Sequence, residues 1–389
     1  MPMGPILRGE WDTVFEAIKD YHERIHDMGA PRITATLKLG TRIDREQTME
    51  EKVQSVLYKL EYGIAHFLKL NNKAMMKYKA FGDTGIQVSE IGFGTNNFGT
   101  NDKWPFHMGA SEAATLIDAA LDVGINMIDT ANVYGTGKSE EYVGKALKGK
   151  REKALIATKV RGPMGEGPHG EGLSRKSIFH EIEASLRRLQ TDYVDLYQLH
   201  WVDKDTSIEE TLRALDDLIK QGKVRYIGCS NYEAWRLCET VWTSKSLNLN
   251  PIVSTQPAYS LLDRDIESEV IPFCEEYQIG VIPYFPLAHG LLTGKYKRNQ
   301  KPPKGSRLEA KSEPYETANF DLIEGLEKFA TDRGHTILEL AFAWLLSKDI
   351  VSTVIAGATK IEQIQSNAVA ADWVLTGEEV EEINKLLEE

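Results

Sequence analysis

The chain has 389 residues and a net charge of −12, with 42% hydrophobic and 27% charged residues. This length holds one large domain plus a small one, and the composition is ordinary for a globular protein. The acidic balance argues against a general nucleic-acid binder, since phosphates are repelled. No apolar run approaches the roughly 20 residues of a membrane span. The N-terminus also lacks the basic-then-apolar order of a signal peptide, so a cytoplasmic protein is expected, with neither nucleic acid nor membrane as partner. Cys229, Cys238 and Cys274 form no CxxC pair. They read as free buried thiols, and no His/Cys cluster has metal-ligand spacing.

The first 75 residues read as helix (EWDTVFEAIKDYHERIHDMG), alternating strand (APRITATLKLGTRID) and long charged helix (QTMEEKVQSVLYKLEYGIAHFLKLNNK). One strand and two helices make a poor core alone. The segment is expected to pack on the rest of the chain or to pair with another copy. Met75-Met76 opens KYKAFGDTGIQVSEIGFGT like an independent protein start. The chain therefore divides into residues 1–75 and 76–389, as a fusion protein.

From about residue 85, short apolar runs alternate with amphipathic ones. The predicted strands are VSEIGFGT, INMIDT, ALIATKV, VDLYQLH, VRYIGCS, PIVSTQP, GVIPYF and STVIAG. Between them, SEAATLIDAALDVG, SRKSIFHEIEASLRRLQ, SIEETLRALDDLIKQG and RDIESEVIPFCEEYQ carry apolar residues at spacings of three and four, which predicts helices. Gly124, Gly222 and Gly280 follow helices, where a C-cap glycine is expected. Eight β–α alternations predict an α/β fold, a (β/α)8 TIM barrel. The competitor, a doubly wound open sheet, normally carries GxGxxG after its first strand, and EIGFGTNNFG lacks that spacing.

A barrel places its site at the C-terminal ends of the strands. Asp129, Lys159 and His200 each end a predicted strand, and Tyr134 follows Asp129 in the loop ANVYG. A phenol is a weak acid, with an ordinary pKa near 10. A neighbouring ammonium stabilises its phenolate, so Lys159, fixed by Asp129, is expected to lower the Tyr134 pKa. Such a tyrosine can protonate a developing alkoxide, while His200 orients the carbonyl. The matching chemistry is hydride delivery to an aldehyde or ketone. Side chains cannot donate hydride, so a nicotinamide cofactor is required.

These residues lie in GDTGIQVSEIGFGT, NMIDTANVYGTGKSEEYVGKAL, ALIATKV, SLRRLQTDYVDLYQLHW, GKVRYIGCSNY, PYFPLAHGLLTGKY and VIAGATKIEQIQSN, in that order. From Met76 onward the chain resembles the aldo-keto reductases, NADPH-dependent (β/α)8 enzymes. The resemblance implies Tyr134 as general acid, tuned by Lys159 and Asp129, with His200 orienting the carbonyl. It also implies a cofactor site. Ser230, Asn231 and Gln256 match the holders of the carboxamide, and Tyr284 the aromatic stacked on nicotinamide. Pro286, Leu287, Gly290, Leu292 and Lys295 match the loop over the pyrophosphate. Gly357, Thr359, Lys360, Gln363 and Asn367 match the adenosine end, with Lys360 facing the 2′-phosphate of NADP. Phe285 stands where many relatives have Ser. The glycine-rich loop 161–176 reads as a lid at the mouth. Trp104, Phe106 and Trp201 are expected to form an apolar wall for a small carbonyl substrate.

GEWDTVFEAIKDYHERIHDMGAPRITATLKLGTRIDREQTMEEKVQSVLYKL resembles the second half of the thiamine-binding-protein-like family, a ferredoxin-like fold that associates through its sheets. An incomplete sheet exposes an edge that a second chain can pair, which implies a homo-oligomer. The alternative to an enzyme is a cofactor-sensing barrel of the kind that attaches to potassium channels.

Overall fold

The computed structural model of the chain describes residues 76–99, 108–167, 169–310 and 312–388. The predicted N-terminal helices and strand, and with them Trp104 and Phe106, lie outside the described residues.

Eight parallel strands form one sheet: β3 (Ile91–Gly94), β4 (Met127–Asp129), β5 (Leu155–Val160), β6 (Val194–Leu199), β7 (Val224–Ser230), β8 (Ile252–Gln256), β9 (Gly280–Val281) and β10 (Val354–Gly357). They pair in chain order, and β10 returns to β3 with Val354 opposite Ile91. The last seam is completed by backbone bonds. Val281 N–H donates to Ile350, Ser352 N–H to Val281, and Ile355 N–H to Pro283. These close the sheet into a barrel. All eight predicted strands are present. β9 is the shortest because Pro283, two residues on, has no N–H to offer a ladder.

A hairpin, β1 (Tyr78–Ala80) and β2 (Gln87–Ser89), precedes the barrel. Its Phe81 and Val88 are buried with the barrel residues Met127, Ala157, Leu196, Ile282 and Ile355, so the hairpin plugs one end. The opposite end remains for the site. Outside the strands run α1 (Ala110–Asp122), α2 (Lys138–Ala146), α3 (Arg175–Leu189), α4 (Ile208–Lys220), α5 (Ala234–Ser246) and α6 (Val270–Tyr277). In α4, Ile208, Leu212, Leu215 and Leu218 form the buried stripe, and Ser207 caps the helix by accepting from Glu210 N–H. Burying each such side chain contributes about 1.5–3 kcal/mol.

Gly124 and Gly222 take the predicted left-handed C-cap conformation, with φ of +89° and +75°. Gly280 does not. Gln278 adopts the left-handed position after α6, and Gly280 lies within β9. A Cβ there would stand 2.6 Å from Ser352 Oγ, so close packing requires that glycine. The predicted helix over 264–278 also divides into a 3₁₀ turn (Asp265–Glu267) and α6. Among the described residues, no helix is long and apolar enough to cross a membrane. Cys229 and Cys274 are buried thiols and Cys238 is half-buried.

Candidate active site

Asp129 ends β4, Lys159 lies next to the end of β5, and His200 follows β6 directly. All three are buried. Lys159 Nζ donates to both oxygens of Asp129, at 2.8 and 2.7 Å, and to the Thr130 carbonyl at 3.0 Å. Its remaining neighbour is Tyr134 Oη, 3.3 Å away. Burial alone would favour the neutral amine, but the Asp129 carboxylate holds the Lys159 ammonium above the usual lysine range.

Tyr134 opens a 3₁₀ turn (Tyr134–Gly137) whose next three residues are left-handed, with φ of 56° at Gly135, 52° at Thr136 and 88° at Gly137. The phenol behaves otherwise than its lysine neighbour alone implies. Burial pushes its pKa up, Asp129 adds to the rise, and Lys159 offsets only part of it. Tyr134 is therefore protonated at neutral pH.

His200 stacks on Trp201, with ring centroids 3.6 Å apart, and meets Tyr134 edge-on at 5.8 Å. Burial, with the charges of Lys159 and Arg161, pushes the imidazole pKa down to about 2. The ring is neutral, and among the described residues its buried Nδ1 has no hydrogen-bond partner.

The predicted amide and hydroxyl residues are bound into the same network. Gln256 Nε2 donates to Asp129 Oδ1 at 3.0 Å, and Gln198 Nε2 to the same oxygen at 3.3 Å. Ser230 Oγ donates to the Gln256 carbonyl. Asn231, left-handed at φ 58°, donates to the His200 carbonyl and to Ser230 Oγ, and its Oδ1 accepts from Tyr284 Oη at 2.8 Å.

A cleft of about 1110 Å³ runs over this network. Asp129, Tyr134, His200, Trp201, Ser230, Asn231, Gln256 and Tyr284 line one part. Pro286, Leu287, Gly290, Lys295, Gly357, Thr359, Gln363 and Asn367 line the rest. Among the described residues, three predicted ones are not in the wall. Lys159 sits behind Asp129 and Tyr134 with its side chain fully buried. Leu292 is buried. Lys360 is exposed at the N-cap of α11 (Ile361–Ala370), which follows α7 (Arg307–Ala310), α8 (Glu313–Glu316), α9 (Phe320–Thr331) and α10 (Ile337–Leu346). From loop 161–176, Pro163 reaches the wall, and Gly162 packs on Val133 and Trp201.

Arg307 and His289 are wall residues that the sequence did not single out, and Phe285, named there only as a departure from the relatives, also lines the wall. The Arg307 guanidinium lies 5.6 Å from the Phe285 ring centroid. Burial lowers its pKa from the ordinary arginine value. The only signal in the sequence is an isolated arginine after the Pro- and Gly-containing stretch KPPKGS.

The residues present fit a nicotinamide dinucleotide. The cleft exceeds the roughly 300–1,000 Å³ of ordinary small-molecule pockets. One end offers amide and hydroxyl groups beside the Tyr284 ring. Elsewhere Lys295, Arg307 and the N-terminus of α11 suit phosphate groups.

The chain matches the model of the Aldo/keto reductase family over residues 90–388, and that of the Thiamine-binding protein family over residues 1–57. It is 36% identical over 323 residues to Aldo-keto reductase YhdN of Bacillus subtilis, covering 80% of this chain and 94% of that protein. A rice protein named Probable voltage-gated potassium channel subunit beta is 36% identical over 328 residues, covering 80% and 97%. L-glyceraldehyde 3-phosphate reductase of Escherichia coli is 33% identical over 312 residues, covering 76% and 87%. The chain thus belongs to the aldo/keto reductase family and is an oxidoreductase that uses a nicotinamide cofactor.

Proposed function

We propose that the protein reduces aldehydes or ketones to alcohols with NADPH, and that Tyr134 supplies the proton. One observation supports this above all. A protonated phenol, a buried ammonium and a neutral imidazole meet at one part of a dinucleotide-sized cleft. The bound cofactor contributes the hydride. Tyr134 gives its proton to the developing alkoxide. Lys159, fixed by both oxygens of Asp129, compensates the phenolate that remains. The neutral His200 ring, whose Nδ1 has no partner among the described residues, would orient the carbonyl oxygen by donating to it from Nε2.

Ser230, Asn231 and Gln256 would hold the carboxamide, with Tyr284 against the nicotinamide face. Pro286, Leu287, Gly290 and Lys295 would cover the pyrophosphate. Gly357, Thr359, Gln363 and Asn367 would hold the adenosine end. Gln363 Oε1 already accepts from Thr359 N–H at 2.7 Å, which orders the turn into α11. Cations at Lys295 and Arg307, with Lys360 next to the wall residue Thr359, favour the extra phosphate of NADPH over NADH. Residues 1–75 are read as a separate unit that drives self-association, and the cytoplasm as the compartment.

A second reading, a cofactor-sensing barrel that turns over slowly, is favoured by the similarity to the rice protein named as a channel subunit. The two readings part in one assay. NADPH and NADH consumption is followed against a panel of aldehydes and ketones. Steady turnover preferring NADPH supports the reductase. A tightly held cofactor that no carbonyl oxidises supports the sensor.

A further inference from the structure

Behind the site, between β5, α2 and α3, lies a charge pair, its carboxylate buried and its guanidinium half-buried, that the proposed chemistry does not use. The Glu140 side chain is 0% exposed and that of Arg188 19%. Arg188 Nε donates to Glu140 Oε2 at 2.6 Å, and Thr158 Oγ1 donates to Glu140 Oε1 at 2.5 Å. Such a pair is weak evidence for stability, since desolvation offsets most of the attraction. Its placement is more informative. Thr158 immediately precedes Lys159. The Arg188 side chain lies against Gly137, where a Cβ would stand 2.8 Å from Arg188 Cδ. Gly137 ends the left-handed turn that begins at Tyr134, and Thr136 within it is a β-branched residue at φ 52°. A backbone of this kind persists only when its surroundings over-determine it.

A closed circuit results. It runs from Tyr134 along the turn to Gly137, across to Arg188, through Glu140 to Thr158, and into Lys159. Its two ends are the pair 3.3 Å apart at the site. A second tie runs parallel: Ser139 Oγ bonds Thr95 and Thr130 hydroxyls, and the Thr130 carbonyl accepts from Lys159.

We propose that Arg188 and Glu140 are positioning residues, a clamp that sets the distance between Tyr134 and Lys159. The assignment rests on the reading of Tyr134 as proton donor. Arg188→Met removes the tie, and Arg188→Lys keeps a cation without the guanidinium fork. Each is made in the full chain and, separately, together with Tyr134→Phe. Turnover, cofactor affinity by tryptophan fluorescence, thermal stability and the tyrosine ring resonance of Tyr134 are measured. The resonance is identified in ¹³Cζ-tyrosine-labelled protein by its loss in Tyr134→Phe.

The clamp requires that Arg188→Met lower kcat by about tenfold or more with cofactor affinity within twofold. The Tyr134 resonance moves toward that of a solvent-exposed tyrosine, Arg188→Lys recovers part of both effects, and no further loss of turnover follows in the Tyr134→Phe background. A folded Arg188→Met protein with unchanged resonance and kcat overturns the proposal. So does an equal loss of turnover in the Tyr134→Phe background. Full activity of Tyr134→Phe alone removes the proton-donor reading instead, and the resonance then still decides whether the clamp exists. Where Arg188→Met does not fold, Glu140→Gln, which keeps the shape and removes the charge, is put to the same measurements.

Discussion

The Gln256 side chain donates to Asp129 Oδ1 at 3.0 Å, although the two residues end β8 and β4, four strands apart in the barrel. This bond crosses the barrel and joins the proposed carboxamide holder to the proton-donor group. Gln256→Leu removes a donor from a buried carboxylate, and stability should fall by about 1.5–3 kcal/mol in denaturant unfolding. Cofactor affinity should fall in the same variant. A loss of cofactor affinity with unchanged stability would mean that the bond contributes nothing to the fold.

Lys159→Met leaves Asp129 buried without its counter-ion, with a cost to stability of about 3–5 kcal/mol. Adding Asp129→Asn removes the stranded charge. The double variant should regain most of the stability and none of the turnover. Unfolding curves and kcat on the two proteins separate these effects, and recovered turnover would deny Lys159 its role.

His200 gives a pH dependence with a definite sign. Its folded pKa is depressed to about 2, whereas an unfolded histidine titrates near 6.5. The unfolded chain therefore binds the extra proton first as pH falls. Stability from this group is complete above about pH 6.5 and is lost below it at about 1.4 kcal/mol per unit, down to the folded value. Between pH 7.5 and 5.5 the native protein should lose about 1.4 kcal/mol more than His200→Gln. Equal losses would show that His200 titrates in the folded protein as it does in the unfolded chain.

Arg307 and Lys360 make opposing predictions about the phosphates. Arg307 is in the cleft wall and Lys360 is not. Arg307→Met should weaken cofactor binding by roughly 10- to 100-fold, the loss of one charge-assisted bond. Lys360→Met should weaken it less. The reverse order in fluorescence titrations would return the 2′-phosphate to Lys360.

The barrel was legible because its strands are short apolar runs that stop at polar residues, and the helices between them keep a spacing of three and four. Asp129, Lys159 and His200 were legible for the same reason: each polar residue interrupts an apolar run at the end of a strand. Side-chain direction was not. Lys360 sits in a stretch that the resemblance marks as cofactor-binding, yet at the N-cap position of α11 it is exposed and outside the wall that Gln363 and Asn367 of the same helix line. Arg307 enters the cleft from a segment with no strand or helix periodicity leading into it. Gly280 looked like a helix cap because it follows an amphipathic stretch. Its role is set by Ser352, 72 residues away in sequence, which no local pattern encodes. The direction of the Tyr134 shift depends on burial, which spacing does not report.

The most direct test of the account is Tyr134→Phe, assayed for turnover and for cofactor binding in one preparation. The ring and its packing against His200 are retained, and only the hydroxyl is lost. Turnover should fall by about 100- to 10,000-fold, the usual contribution of a positioned acid, with cofactor affinity within twofold. Turnover within twofold of the native protein would contradict the assignment of Tyr134 as proton donor.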